Sequence, residues 1–562
     1  MSLARWKIGL EENRMKSFFS TLFKEKNIKL AAIAAAVITV AYSLFFYFRN
    51  CFNSEASKRI NFYYAAIFIV MIAMVSLVLI LLLKNKEWNY PRLFVILALG
   101  WTISMQLVMP PISGVDETTH YYSAYHCSNI MLGMKDHNLG LDQYHGMTWE
   151  DDTFFYMRAE DYYMLPYLDV TFPYQYAVLA NGNWIKHADD MQENVEVHIA
   201  PAKASRYLVS GFGITIARLL GFGFAGVIFM GRFMNSLSLI IAGWIALKLL
   251  PIGKHQFFTF ALFPAVIHLC SSYSYDNMSI LFSLALLTLC LYYGQPHVKL
   301  HAWDLIILGI CVVFLIPNKT VYALFAVWIL SIPVKKWWSD VILSKKWYEY
   351  AVLGVIVAGA VVVFDKIVIK YFYRVMKQVF WTYNADVSEV DPTRQVLSWE
   401  YFLDHKAETI KFAWDGIKVD FWYNIKHVVG SELGHVMLNA QVPMACIIIL
   451  LAILIAGIVF IKGKRITKWQ YVFIGLGLLI CLVAIFVGCM TRFTPTDSQR
   501  IQISYRYLIP LYMALSIILG TDAKENKLAL TLIYIQNIVL TFAMCGVLYY
   551  LFHLRDGMPA PF

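Results

Sequence analysis

The sequence predicts an all-α integral membrane protein, a bundle of about thirteen transmembrane helices with large loops on one side. Hydrophobic residues make up 59% of the 562 residues and charged residues only 15%. In a typical soluble protein, about a quarter of all residues are charged. The mean hydropathy is +0.58. Several apolar stretches also approach or reach the ~20 residues that cross a hydrocarbon core of about 30 Å. Together these observations predict a polytopic helical protein for which the lipid bilayer is the solvent.

The first 28 residues carry mixed charges and precede a long apolar run, which indicates a cytoplasmic segment rather than a cleaved signal peptide. The spans that fit the remaining sequence are 29–49, 61–84, 92–109, 224–250, 256–272, 278–294, 304–317, 319–334, 350–370, 441–461, 470–490, 504–521 and 527–552. Lysine and arginine concentrate in alternate loops, which predicts the N-terminus inside and the C-terminus outside. The net charge of +10 is then a property of the inner loops and does not indicate a nucleic-acid partner.

Two outer loops, at 110–223 and 371–440, are much longer than ordinary connections, and loops of this length are usually functional or disordered. Both are rich in tyrosine, tryptophan and phenylalanine and are not of low complexity, which favours ordered loops. The stretches "SRYLVSGFGITIARLLGF" and "SWEYFLDHKAETIKFAWDGI" have apolar residues at helical spacing. They predict helices that lie in the outer membrane interface.

The stretch "MPPISGVDETTHYYSAYH" places two carboxylates and a histidine just after the third span, at the outer water interface. Pro110 and Pro111 end the span. A helix that resumes at Asp116 would carry Asp116, Glu117 and His120 on one face. Two adjacent carboxylates raise the pKa of one of them, which suits a general base, and their oxygens could bind a divalent cation such as Mg²⁺ or Mn²⁺. Acidic residues that only stabilise a helix start are an equally good interpretation.

Three further ionisable residues also lie at the outer ends of predicted spans. Asp276 precedes the sixth span, Lys319 lies between two short spans, and Arg506 begins the twelfth span. Taken singly, each has an ordinary explanation: a helix cap for Asp276, and interfacial anchoring for the two cations. All lie at the outer ends of separate spans, as do Asp116 and Glu117, whereas independent caps would scatter to both sides. The common placement predicts one shared site with carboxylates beside cations.

These residues lie in stretches that resemble the motifs of a bacterial family of multi-pass membrane proteins of unknown function. "PP…DETTHYYSAY" resembles its P-P-x-D-E-x-x-H opening, "SYSYDNMS" its S-Y-D segment, "NKTVY" its K-x-x-Y and "YRYLIPLY" its G-R-Y-x-x-P, over roughly residues 92–515. Two departures are the insertion "ISGV" before the acids and Tyr505 in place of the glycine before Arg506. The motif positions add three candidate substrate contacts, namely Tyr275, Tyr322 and Tyr507.

That family is similar to the GT-C glycosyltransferases, membrane enzymes that use sugars carried on polyprenyl phosphates. The resemblance implies a GT-C-like catalytic domain at 92–521. Residues 29–91 are then an N-terminal two-helix addition, and residues 522–562 form the last helix and a short outer tail. It also implies a place in the bacterial cytoplasmic membrane, with the active site on its outer face.

The resemblance further implies a mechanism. Asp116 would be the catalytic base, supported by Glu117 and His120, and Lys319 and Arg506 would hold the donor phosphate. The donor would be a sugar on undecaprenyl phosphate, and the acceptor a surface glycan or a teichoic-acid-like polymer bound by the aromatic loops. Attack by the acceptor hydroxyl would invert the anomeric centre. A donor on the outer face also requires a flippase and a cytoplasmic donor synthase.

Other functions remain open at this point. A polysaccharide ligase or polymerase would share the outer site and the large loops. A transporter or flippase of lipid-linked saccharides would need ionisable residues within the membrane, for which Asp365 and Lys366 are the only strong candidates, and symmetric halves, which are not detectable. A non-catalytic scaffold would leave the charge cluster unexplained. Motifs of P-loop, dinucleotide-binding, zinc-protease and serine-hydrolase enzymes are absent from the sequence.

Overall fold

A computed structural model gives the architecture. It describes residues 34, 38, 58–84, 89–114, 116–134, 137–138, 153–165, 178–186, 194–197, 204–341, 343, 354, 399–430, 432–433, 436–437, 448–449, 451–452, 466–493, 501, 503–520 and 527–553. Within these ranges the chain is mostly helical. This confirms the prediction of a helical protein at the level of secondary-structure class.

The helices of the described part form most of the fold. In chain order they are α1 (Lys58–Lys84), α2 (Tyr90–Val108), α3 (Glu117–Met131), α4 (Ala159–Tyr163), α5 (Leu208–Leu219), α6 (Phe224–Leu249), α7 (Lys254–Ala261), α8 (Pro264–Cys270), α9 (Asp276–Tyr293), α10 (Ala302–Asn318), α11 (Val334–Lys336), α12 (Trp399–Asp404), α13 (Lys406–Val429), α14 (Lys468–Phe493), α15 (Ile509–Ile518) and α16 (Lys527–His553). Tighter 3₁₀ turns form at Ala204–Arg206, Thr320–Ser331 and Tyr505–Tyr507.

Five of the described helices are long and apolar enough to cross a membrane. They are α1, α2, α6, α9 and α14. A sixth span is possible if the 3₁₀ helix Thr320–Ser331 and the following segment Val334–Val341, bent by 73°, count as one. The chain therefore has several membrane-capable helices, while the described residues do not reach the expected thirteen. Three expected spans, 29–49, 350–370 and 441–461, lie almost wholly outside the described residues.

Two other expected spans have a different local structure. The expected span at 256–272 is divided into α7 and α8, because Pro264 lacks an N–H to continue the first helix and instead starts the second. The expected span at 319–334 is a 3₁₀ helix of 12 residues, which is unusually long for this conformation. Both segments are therefore shorter or less regular than a simple crossing helix.

The two long loops contain the two helices that amphipathic spacing predicts, as α5 and as the pair α12 and α13. They also contain strands that were not expected in an all-α protein. β1 (His137–Asn138), β2 (Thr153–Arg158) and β3 (Asn194–Val197) form an antiparallel sheet in that order, with Phe155 opposite Val197. A two-stranded hairpin of β4 (Glu432–Leu433) and β5 (Val436–Met437) lies in the second loop.

Helix α6 is central to the part of the fold that carries the site. It packs against α2, α5 and α9, and the α5 contact is close, because a Cβ on Gly213 would lie 2.5 Å from the Met230 carbonyl oxygen. Helix α3 in turn packs on α5 and is largely buried although its sequence is mostly polar. The starts of α3 and α9 are thereby held beside α6.

A candidate active site where four helix ends meet

Asp276 lies at the centre of a charged cluster at the start of α9. It is only 2% exposed, and Lys319 donates a hydrogen bond to its Oδ1. Arg506 Nη1 lies 3.6 Å from Oδ2, to which Ser274 Oγ also donates at 3.2 Å. A buried carboxylate is tolerated when it is paired and hydrogen-bonded in this way. The structure thus brings together the predicted residues Asp276, Lys319 and Arg506.

The predicted tyrosines surround the Lys319 ammonium. Lys319 lies in the break between α10 and the next 3₁₀ helix. Its Nζ is 3.8 Å from the ring centre of Tyr507 and 5.3 Å from that of Tyr275, within the range of cation–π attraction. Tyr322 donates a hydrogen bond of 2.9 Å to the Tyr507 carbonyl. Burial raises the pKa of Tyr275 to about 12, so its hydroxyl stays protonated at neutral pH.

Asp116 is the exposed carboxylate of the cluster. Its side chain is 65% exposed, and its Oδ2 lies 3.7 Å from Nη2 of Arg506. Asp116 is the N-cap of α3 and has left-handed backbone angles, φ 58° and ψ 16°, so it does not continue the helix face that Glu117 begins. Shortly before it in the chain, Ile112 also has a positive φ, of 67°.

Glu117 is turned into the protein. It is 2% exposed, and its oxygens accept hydrogen bonds from the backbone N–H groups of Gly114 and Tyr273, each at 3.0 Å. Its Oε1 also lies 3.6 Å from Nε of Arg232. The two adjacent acids therefore have different partners.

This geometry does not favour a divalent cation at the two acids. Both oxygens of Glu117 are already engaged, and the nearest charged groups to the acids include Arg232 and Arg506. Among the residues that the structure describes, no group of three or more histidine, cysteine, aspartate or glutamate side chains is arranged to hold a metal ion.

His120 lies one turn into α3, beneath the cluster. Its Nδ1 is in hydrogen-bond contact with the Tyr207 hydroxyl at 2.8 Å, and its ring meets the edge of Tyr275 with 5.1 Å between ring centres. Burial lowers the pKa of His120 to about 4, Arg506 and Lys319 lower it too, and the nearby carboxylates partly offset this. The imidazole is therefore neutral, and its buried Nε2 has no hydrogen-bond partner in the described part of the chain.

Two arginines complete the surroundings and were not singled out from the sequence. Arg206 donates a hydrogen bond to the Pro317 carbonyl, and its guanidinium carbon lies 5.1 Å from the ring centre of Tyr275. Arg232 is buried inside α6 at 1% exposure. Arg232 is therefore an ionisable residue within a membrane-capable helix, whereas the expected candidates Asp365 and Lys366 lie outside the described residues. The signal was a single arginine in an apolar run, "VIFMGRFMN".

A cavity of about 10 Å³ lies between the start of α3 and the turn before α9, with room for about one water molecule. It is lined by Gly114, Glu117, His268, Leu269, Ser272, Ser274, Tyr505 and Arg506. The space around Glu117 is thus nearly filled, whereas Asp116 faces outward. A reactant has access to the Asp116 side of Arg506 rather than to Glu117.

The charges of the cluster favour an anion. Lys319 and Arg506 share one buried carboxylate, Asp276, which leaves one net positive charge. Arg206 and Asp116 have opposite charges and do not change this sum. An exposed carboxylate beside a cationic, aromatic-lined centre can accept a proton from a group that attacks a bound anionic ester.

Comparisons with known proteins give one match. No curated protein matches the chain, and no solved structure matches it. A family model described as a predicted membrane protein, DUF2142, matches residues 97–515. That range includes Asp116, Asp276, Lys319 and Arg506. Because the match covers most of the chain and the fold has several membrane-capable helices, the protein belongs to the DUF2142 family of predicted membrane proteins.

Proposed function

We propose that the protein is a membrane glycosyltransferase of GT-C type that transfers a sugar from a polyprenyl phosphate, such as undecaprenyl phosphate, to a cell-surface glycan. It works on the outer face of the bacterial cytoplasmic membrane, with a flippase and a donor synthase upstream. The observation that carries this proposal is the exposed Asp116 carboxylate, 3.7 Å from Arg506, beside the Lys319 and Asp276 pair. A general base, Asp116, thus lies next to a site for an anion, and the transfer reaction requires both.

Each residue has a role in the proposed step. The acceptor hydroxyl attacks the anomeric carbon from the side opposite the phosphate, which inverts that centre. The bond between the anomeric carbon and the phosphate oxygen breaks, and its electron pair leaves with the polyprenyl phosphate. The hydroxyl proton passes to Asp116. Lys319 and Arg506 stabilise the second negative charge that develops on the leaving phosphate.

The charge balance supports a phosphate donor over a diphosphate donor. A sugar phosphodiester carries one negative charge, which matches the net charge of Lys319, Arg506 and Asp276. A lipid diphosphate, the donor of many ligases and polymerases, would bring at least one further charge without a cation in this set, and an unpaired charge away from water is costly. The transferase is therefore preferred to the ligase or polymerase.

Tyr275 and Tyr507 supply aromatic faces beside the phosphate position. Lys319 lies within 5.3 Å of both ring centres, so a phosphate held by this lysine would place the attached sugar near the two rings. Aromatic faces suit sugar binding because they bury the apolar side of the ring while its hydroxyls reach polar groups. Tyr322 supports this arrangement through its hydrogen bond to Tyr507.

The test is Asp116→Asn in the native host, with surface-glycan composition as the readout. We expect the loss of one sugar substituent and normal amounts of protein in the membrane. The matched control is Asp415→Asn, because Asp415 is also an exposed carboxylate (56% exposed) and lies 3.9 Å from the cation Lys418. An unchanged glycan in Asp116→Asn would remove this residue from the mechanism and the proposal with it.

A further inference from the structure

Arg232 is a buried cation in a membrane-capable helix. Its side chain is 1% exposed. Its Nε donates to the Ser271 carbonyl at 2.7 Å and its Nη2 to the Met109 carbonyl at 2.9 Å. An arginine at such a position is costly unless its charge is balanced. Among the described residues it pairs with one carboxylate, Glu117, at 3.6 Å.

The pair of Glu117 and Arg232 joins both acidic segments of the site. On one side, Glu117 accepts a hydrogen bond from the backbone N–H of Gly114, which lies two residues before Asp116. On the other side lies the turn that leads into Asp276. In this turn the backbone N–H of Tyr273 donates to Glu117, and the carbonyl of Ser271 accepts a hydrogen bond from Arg232. The exposed and the buried carboxylate of the site are thus connected through one ion pair.

The turn is also packed tightly on α6. The Tyr273 hydroxyl donates to the Ile228 carbonyl at 2.7 Å. A Cβ on Gly231 would lie 2.4 Å from that hydroxyl oxygen, so a larger residue beside Arg232 would displace the tyrosine. The turn therefore has little freedom to shift while the pair is intact.

We infer that Glu117 and Arg232 form a positioning pair that sets the location of Asp116 relative to Asp276, and that Glu117 is not the base. This inference rests on the proposed function. Glu117 is enclosed, and each of its oxygens already accepts a backbone N–H, so an acceptor hydroxyl cannot reach it. Its removal changes where the other two carboxylates lie, and small displacements of reacting groups lower rates strongly.

The experiment compares four proteins in lipid nanodiscs: wild type, Glu117→Gln, Arg232→Gln and the double variant. The readouts are the melting temperature, and kcat and KM for transfer from a polyprenyl phosphate sugar across pH. We expect each single variant to lower kcat by up to about 100-fold, the effect of displacing a reacting group by about 1 Å. The kcat of the double variant should be no lower than that of the slower single variant. The reason is that the double variant leaves no buried charge without its partner. The acid limb of the pH–kcat profile should remain in Glu117→Gln.

The matched control is Glu160→Gln. Glu160 is also a buried glutamate, 3% exposed, and accepts a backbone hydrogen bond of 3.1 Å, from Phe224, at a point away from the cluster. We expect Glu160→Gln to lower the melting temperature and leave kcat unchanged. If Arg232→Gln yields no protein, Glu117→Gln against Glu160→Gln decides the question alone.

Two kinetic results overturn the inference. If Glu117→Gln loses stability like Glu160→Gln and keeps the wild-type kcat, the pair is only structural. If the effects of Glu117→Gln and Arg232→Gln multiply and the acid limb disappears, Glu117 is itself the base. If the wild type transfers no sugar, the proposed function fails instead. Binding of undecaprenyl phosphate then replaces kcat: Glu117→Gln should weaken it about tenfold and Glu160→Gln should not, and equal binding overturns the inference.

Discussion

Asp116 and Glu117 are consecutive in the chain, but their carboxylates pair with different arginines. Asp116 Oδ2 lies 3.7 Å from Arg506 Nη2 at the exposed side, and Glu117 Oε1 lies 3.6 Å from Arg232 Nε in the interior. The left-handed conformation of Asp116 separates the two side chains. A dipeptide that looks like two equivalent acids is therefore divided into an accessible group and an enclosed one.

The backbone of Asp116 gives the first prediction. An L-residue in the left-handed region is less stable than glycine by about 1 kcal/mol. We expect Asp116→Gly to raise the melting temperature and to lower transfer by at least about 100-fold. Asp116→Ala should lose the same activity without the gain in stability. A glycine variant that is less stable than the alanine variant would contradict the strained turn.

The second prediction concerns the buried pair of Lys319 and Asp276. Asp276→Asn leaves the buried Lys319 ammonium without a carboxylate and should destabilise the fold by about 3 kcal/mol, since leaving a buried charge without its partner costs this much. The double variant Lys319→Met/Asp276→Asn should recover most of that stability, because it removes the unpaired ammonium, and should bind lipid phosphate more weakly than the wild type, because only Arg506 remains to hold it. Melting curves and undecaprenyl phosphate binding measure the two effects. Equal stability of the single and double variants would contradict the pairing.

The third prediction is a pH dependence of stability from His120. Its pKa is about 4 in the folded protein because burial disfavours the charged form, against about 6.5 when unfolded. Above pH 6.5 both states are neutral. As the pH falls from 6.5 through 4, the unfolded state binds the proton first, so stability falls by roughly 3 kcal/mol. His120→Gln should flatten this part of the stability curve, and an unchanged slope would contradict the assignment.

The fourth prediction concerns Arg206. Its guanidinium lies over the ring of Tyr275 and donates a hydrogen bond to the carbonyl of Pro317, two residues before Lys319. We expect Arg206→Gln to raise KM for the donor by about 2- to 30-fold, the range of one cation–π contact of 0.5–2 kcal/mol. The control is Arg218→Gln. Arg218 belongs to the same outer loop and lies 4.5 Å from the ring centre of Tyr125, away from the cluster. Equal KM values in both variants would contradict a donor contact.

Hydropathy predicted the long helices well, because a run of apolar residues has few alternatives in a bilayer. The spans at 61–84, 92–109, 224–250, 278–294 and 470–490 correspond to α1, α2, α6, α9 and α14. Amphipathic spacing likewise predicted the helices α5 and α13 in the two long loops. These elements are determined by local pattern alone.

Other features depend on contacts that a local pattern does not contain. The strand Thr153–Arg158 is short and aromatic, and its partner Asn194–Val197 is distant in sequence. The surroundings of Asp116 and Glu117 differ because Asp116 has a positive φ angle, which the stretch "ISGV" does not reveal. A single arginine in an apolar run does not by itself indicate its partner, and the partner of Arg232 is Glu117, which is distant in sequence.

The ion pair of Glu117 and Arg232 has a consequence for the order of assembly during synthesis. All of its contacts lie between residues 109 and 273, so the nascent chain can close it before Lys319 and Arg506 leave the ribosome, as chains fold from the N-terminal side first. Asp276 is then in place while both of its cations are still missing. The cationic half of the cluster is completed last, and a truncated chain would present the acidic half alone.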